Sequence, residues 1–319
     1  MKKILYLSIL LTIFLINSVG YCYSSELKLN SFIEAVENDD IQTIQNLLNN
    51  GVDINSKDDN GNTALSVALL KNNILSINFL INNGADINIK YNKNGTALMF
   101  AALSCDSNII NLLLDKGAGI HDRNDYGWNA LMMAAASNNV DAIQALLDNR
   151  ADIYSSNNEG ATALMIASSF GHNESVQTLL KNRADIHARD NKGLTALMFA
   201  AAKGHSETIQ ILLDNGADIH ARDNKGLTAL MRATENGHSK AIQTLLNNRA
   251  DINARNNNNI TALTIAAYCQ PKEIVEFLLK RGADPNIARD ETLGNMALWA
   301  AKKSPHKGVV AILKKYGAK

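Results

Sequence analysis

Thr195-Ala196-Leu197-Met198 is one copy of a short motif that returns along this chain at a fixed interval. Thr63-Ala64-Leu65, Thr96-Ala97-Leu98, Asn129-Ala130-Leu131, Thr162-Ala163-Leu164, Thr195-Ala196-Leu197, Thr228-Ala229-Leu230 and Thr261-Ala262-Leu263 stand 33 residues apart, and Met296-Ala297-Leu298 follows 35 residues later. A period of this length identifies stacked repeats, so the 319 residues are read as one repeat domain and not as two globular ones.

A second signal runs in the same phase. Gly51-Val52-Asp53, Gly84-Ala85-Asp86, Gly117-Ala118-Gly119, Arg150-Ala151-Asp152, Arg183-Ala184-Asp185, Gly216-Ala217-Asp218, Arg249-Ala250-Asp251 and Gly282-Ala283-Asp284 each close a unit. Between the two signals lie apolar residues at helical spacing, such as Ile209, Leu212 and Leu213, preceded by Gly204-His205. A glycine there can end one short helix and let a second begin.

With these two phased motifs the chain resembles the ankyrin-repeat family, whose 33-residue unit carries a Thr-Pro-Leu-His-x-Ala signature. The resemblance covers residues 28 to 319. It implies an all-α fold, a solenoid of stacked helix-turn-helix units with projecting β-hairpin-like loops. The expected layout is an N-terminal capping repeat at 26–58, seven repeats at 59–291 and a C-terminal capping repeat at 292–319. One helix pair buries too little apolar surface to be stable, so stacking must supply the core. Leu65, Leu98, Leu131, Leu164, Leu197, Leu230, Leu263 and Leu298 are expected to form it, with Ala68, Ala101, Ala134, Ala167, Ala200, Ala233 and Ala266 allowing close helix approach. Thr195 and its equivalents are expected to cap the first helices.

The chain departs from the signature in three ways. Alanine replaces the proline in every full repeat, at little expected cost because alanine is a good helix former. Met99, Met132, Met165, Met198 and Met231 replace the histidine, which removes a side chain that often bonds between loops and leaves more of the cohesion to packing. Arg150, Arg183 and Arg249 stand where glycine is usual. Either each arginine takes a left-handed conformation at about 1 kcal/mol, or Asn149, Asn182 and Asn248 take it instead.

Residues 1–24 do not belong to the repeats. Lys2 and Lys3 precede an apolar run from Ile4 to Ile16, and Ser18-Val19-Gly20 supplies small residues before a cut. That is the layout of a secretory signal peptide, and the run is short for a membrane span. An exported bacterial protein, periplasmic or secreted, is expected. Cys22 offers the alternative of a lipid anchor at the membrane, although Tyr21 is not the small residue that usually precedes a lipidated cysteine. Cys105 and Cys269 lie five repeats apart, too far for a disulfide.

Lys and Arg balance Asp and Glu at 31 each, which argues against nucleic acid as a partner. The seven aspartates of the closing motif share one phase, so each is expected to serve its own loop by accepting backbone N–H groups. The methionine column, with His172, His205, His238, His121, His187 and His220, is the basis of an alternative reading as a metal or redox accessory protein. Packing explains the methionines and turn positions the histidines. No nucleophile elbow, phosphate-cradling loop or zinc signature occurs, and no enzyme activity, metal or cofactor is expected.

A monomer that binds a protein partner is the expected function. The resemblance places that partner on the concave surface formed by loop tips and first helices. The candidate contacts are Tyr91, Tyr126, Glu159, Lys192 and Lys225 at the tips. Trp128, Leu194, Leu227 and Ile260 precede the threonine position, and Phe170 and Tyr268 lie near first-helix ends. Residues 187 to 198 and 220 to 231 are the same twelve-residue string.

Overall fold

A computed structural model describes residues 27–287 and 295–319. The expected signal peptide and Cys22 lie outside these residues. Helices occur in pairs along the described chain: α1 (27–37) with α2 (Ile41–Asn49), α3 (Ala64–Lys71) with α4 (Ile74–Asn82), and α5 (Ala97–Ser104) with α6 (Ser107–Asp115). The series continues with α7 (Ala130–Ser137) and α8 (Val140–Asp148), α9 (Ala163–Phe170) and α10 (Asn173–Lys181), and α11 (Ala196–Lys203) and α12 (Ser206–Asp214). It ends with α13 (Ala229–Glu235) and α14 (Ser239–Asn247), α15 (Ala262–Cys269) and α16 (Lys272–Lys280), and α17 (Met296–Lys303) and α18 (Val309–Lys315). Among the described residues there is no strand. The hairpin-like loops hold isolated bridges such as Lys57 to Thr63 and Ser156 to Thr162. The fold class is all-α and helical-repeat, as expected.

The first helices are short because most are punctuated at both ends. At the start, Thr63, Thr96, Thr162, Thr195, Thr228 and Thr261 each accept the N–H three residues on, which satisfies a backbone donor that has no partner inside the helix. At the end of α11, Gly204 adopts φ +80°, and a Cβ there would come within 2.6 Å of the His238 ring. Left-handed backbone and the close approach of the following repeat therefore both demand glycine.

Contacts divide the chain after Ala130, at the start of α7, into two units. In the first, α3 packs against α4 and α5, α5 against α6, and α2 against α4. Leu65 and Leu98 are 1% exposed there, beside fully buried Ala68 and Ala101.

In the second unit the first helices form one layer, α9 on α11 on α13 on α15 on α17, and each packs on its own second helix. Leu131, Leu164, Leu197, Leu230 and Leu263 are at most 2% exposed, and Ala134, Ala167, Ala200, Ala233 and Ala266 are fully buried. Burying each leucine contributes roughly 1.5–3 kcal/mol, which is why the leucine is kept in every unit. Leu298 departs from the expectation: it is only half-buried, and among the described residues the helices that pack on α17 are α15 and α18. Each second helix presents a narrower apolar face, so Leu146, Leu212 and Leu245 are fully buried while Leu147, Leu213 and Leu246 are half-buried.

The three arginines take the left-handed conformation themselves. Arg150, Arg183 and Arg249 have φ of 66°, 67° and 67°. Asn149, Asn182 and Asn248 stay on the ordinary side at φ −88°, −87° and −90°. The turn is fixed by the helix it ends, and Gly51, Gly84, Gly117, Gly216 and Gly282 adopt it at the same position of other repeats.

Candidate functional site

Two columns of aspartate or asparagine side chains hold the loops between repeats by hydrogen bonds to their backbone. In the closing motif, the Oδ1 atoms of Asp53, Asp86, Asp152, Asp185, Asp218, Asp251 and Asp284 accept the N–H two residues on, as the sequence leads one to expect. A second column was not anticipated. Asp58, Asn124, Asn157, Asp190, Asp223 and Asn256 each accept two N–H groups, from the residues two and four positions later. Its signal was present in the sequence: an Asx residue five before the threonine position in six of the seven units.

Tyr91 is the exception in that column. The expected exposed contact is 5% exposed, with its ring 5.0 Å from Phe100 and its hydroxyl 3.1 Å from Thr63 Oγ1. Burial pushes its phenol above the usual tyrosine range, with the Thr63 hydrogen bond opposing the shift. Tyr91 is a packing residue, because its ring is buried beside Phe100 and its hydroxyl meets Thr63 of the preceding repeat.

Successive tips of the second unit are joined by a ladder. The backbone N–H groups of Asn191, Asn224 and Asn257 donate to the carbonyl oxygens of Glu159, Lys192 and Lys225 at 3.0, 3.0 and 3.1 Å. Their side-chain Nδ2 atoms donate to Asn158, Asn191 and Asn224 at 3.0, 3.1 and 3.1 Å. Arg189 Nη2 donates to the Arg222 carbonyl and Arg222 Nη2 to that of Arg255. The repeated twelve-residue string therefore encodes one docking geometry used twice, with each copy gripping the next. Hollows of about 60, 130 and 490 Å³ lie between consecutive loop bases, and the largest is bordered by His220, Arg222, Asp251 and Arg255.

The expected contact residues fall into three groups. Glu159, Lys192 and Lys225 are exposed at their tips, as are Tyr126, Phe170 and Tyr268 at 57%, 55% and 54%. Phe170 lies parallel to the His172 ring at 5.6 Å. Trp128, Leu194 and Ile260 are half-buried. Leu227 is 8% exposed and closes its own loop.

Sequence reading missed one ion pair on the first helices. Where other repeats carry Phe100, Met133, Ile166, Phe199 or Ile265, α13 carries Arg232, which bonds Asp223 Oδ2 and reaches Glu235 at 3.1 Å. The Asp223 side chain is 1% exposed.

Profiles described as "Ankyrin repeats (3 copies)" match residues 32–124, 118–190 and 183–256, and one described as "Ankyrin repeats (many copies)" matches 240–279. The chain belongs to the ankyrin-repeat family. Ankyrin repeats are generally protein–protein interaction scaffolds, and proteins built from them are typically non-enzymatic. No curated protein matches the chain.

The ankyrin-repeat framework also locates the thiols and imidazoles. Met99, Met132, Met165, Met198 and Met231 are each 1% exposed, so their thioethers are packing groups in the core. Among the described residues no group of three or more His, Cys, Asp or Glu side chains converges as a metal site would require. Cys105 is 1% exposed, and burial pushes its thiol up to about 11. His172, His205 and His238 start second helices, and their Nε2 atoms donate to the carbonyl oxygens of Ala136, Ser169 and Ala202 at 3.0 Å. The loss of the signature histidine is thus offset by another, and cohesion between repeats does not rest on packing alone.

Proposed function

We propose that this ankyrin-repeat chain binds a protein partner across the loop tips of residues 131–319, through Glu159, Lys192 and Lys225, with Phe170 and Tyr268 adding apolar contact. Tyr126 and Trp128 are the corresponding candidates of residues 27–130. The observation that carries this reading is the asparagine ladder. It fixes the tip backbones at Asn191, Asn224 and Asn257 while the adjoining Lys192 and Lys225 side chains stay exposed. A surface ordered before binding loses less conformational entropy on association, so modest side chains can give useful affinity. Affinity capture with the wild-type chain and with Lys192→Glu/Lys225→Glu tests it. A protein retained by the first and lost from the second is expected; equal retention removes these tips from the site.

The chain is further proposed to be an exported bacterial monomer. Support comes from the Lys2-Lys3 start, the apolar Ile4 to Ile16 run and the small residues that follow. Intact mass of the native protein distinguishes cleavage near residue 20 from a diacyl chain on Cys22.

A further inference from the structure

We propose that the last repeat, residues 295–319, is a docking face for an anionic bilayer surface. It lies apart from the loop tips and stands without the partner reading above. This stretch holds six lysines and no aspartate or glutamate, whereas the chain as a whole is neutral at 31 of each sign, leaving 25 basic against 31 acidic residues elsewhere.

All six lysines are exposed, and none forms an ion pair among the described residues. Lys302, Lys303 and Lys307 crowd the turn between α17 and α18, while Lys314, Lys315 and Lys319 follow at the other end of the antiparallel pair. Trp299 lies one helical turn before Lys302 and Lys303 on α17, in the register that Met231 and Thr264 fill in preceding repeats. Those two are 1% and 5% exposed; Trp299 is 47% exposed, with Lys303 Nζ 5.5 Å from its ring.

The chemistry favours lipid over other anions. A half-exposed tryptophan flanked by lysines suits the boundary between head groups and acyl chains, where an aromatic ring with a polar edge settles and ammonium groups meet diffuse negative charge. All six cations are lysine. A site for individual carboxylates or for base edges would favour the planar, bidentate guanidinium of arginine. A cap that only keeps the end of a stack soluble needs neither the tryptophan nor one sign of charge, and residues 27–40 mix Lys28 with Glu34, Glu37, Asp39 and Asp40.

The chain has two tryptophans, so Trp128→Phe leaves Trp299 as the only one, and its emission reports this face alone. With vesicles of phosphatidylcholine and phosphatidylserine the emission should shift to the blue; with phosphatidylcholine alone it should not. Lys302→Gln/Lys303→Gln/Lys307→Gln should weaken the anionic response on the order of 100-fold, from the contribution of three surface lysines. Raised salt should weaken it too. Should that variant lose its circular dichroism, Lys314→Gln/Lys315→Gln/Lys319→Gln replaces it. Emission unmoved by anionic vesicles, moved equally by neutral ones, or undiminished in a folded lysine variant overturns the proposal. So does a larger shift with duplex DNA or polyglutamate at equal charge.

Discussion

His205 Nε2 lies 3.0 Å from the carbonyl oxygen of Ser169, 36 residues earlier in the chain. The imidazole must carry its proton on Nε2 to make this bond, since a carbonyl only accepts. The ring starts α12 and closes the end of α9, so one side chain serves two repeats. His205→Ala is expected to leave that carbonyl without its partner and to lower stability by about 1–2 kcal/mol, measured by urea unfolding. Gly171→Ala should do at least as much damage, because its Cβ would meet the same ring at 2.5 Å on a backbone at φ +72°.

Arginine at a left-handed turn is a local cost, and among the described residues none of the three makes an ion pair that would offset it. Arg150→Gly, Arg183→Gly and Arg249→Gly are each expected to stabilise the protein by about 0.5–1 kcal/mol, less than the full relief because glycine loses more entropy on folding. Urea midpoints of the single and triple variants check it, with near-additive gains expected for separated sites.

Asp223 and Arg232 form an ion pair whose carboxylate is 1% exposed and whose guanidinium is 21% exposed. Arg232 Nε is buried there without a partner. Asp223→Ala should cost about 1–3 kcal/mol, since it leaves the Lys225 and Leu227 N–H groups unpaired and Arg232 with Glu235 as its remaining carboxylate partner. Asp223→Asn with Arg232→Ile should be far milder. It recreates the pairing of Asn256 with Ile265 that the chain already uses, and replacing a buried pair by apolar groups is often neutral. A thermal-unfolding double-mutant cycle tests both statements.

Much of the fold was legible because a period repeats the same evidence. Thr195, Leu197 and the closing aspartates each recur at one phase, and a residue required in every unit is serving the unit. What stayed hidden depends on the neighbour. Tyr91 looks like an exposed tip residue in a linear reading and Leu227 like an exposed residue before the threonine, yet both are buried. Arg232 reads as a surface charge until the loop brings Asp223 to it, nine residues away in sequence. His172, His205 and His238 could be placed at turns from spacing alone; that their rings reach the preceding repeat required the stack.

Cys105 combines burial with an ionisable thiol. Its pKa is raised to about 11 in the fold and is near 9.0 when exposed, so the unfolded chain ionises first. Stability from this group is therefore intact below about pH 9 and falls between pH 9 and about 11, where only the unfolded chain gains thiolate. In a Cys22→Ser background, iodoacetamide at pH 8 should modify half-exposed Cys269 before Cys105, although burial raises the Cys269 thiol as well. Peptide mass mapping over time reads the order.

The loop tips joined by the asparagine ladder are the proposed binding surface. Calorimetric titration of the captured partner into the wild-type chain and into Lys192→Glu/Lys225→Glu, with thermal midpoints measured alongside, tests it most directly. The prediction is an affinity at least about tenfold weaker, or roughly 1.4 kcal/mol, with the midpoint unchanged. An unchanged affinity in the folded variant would contradict it.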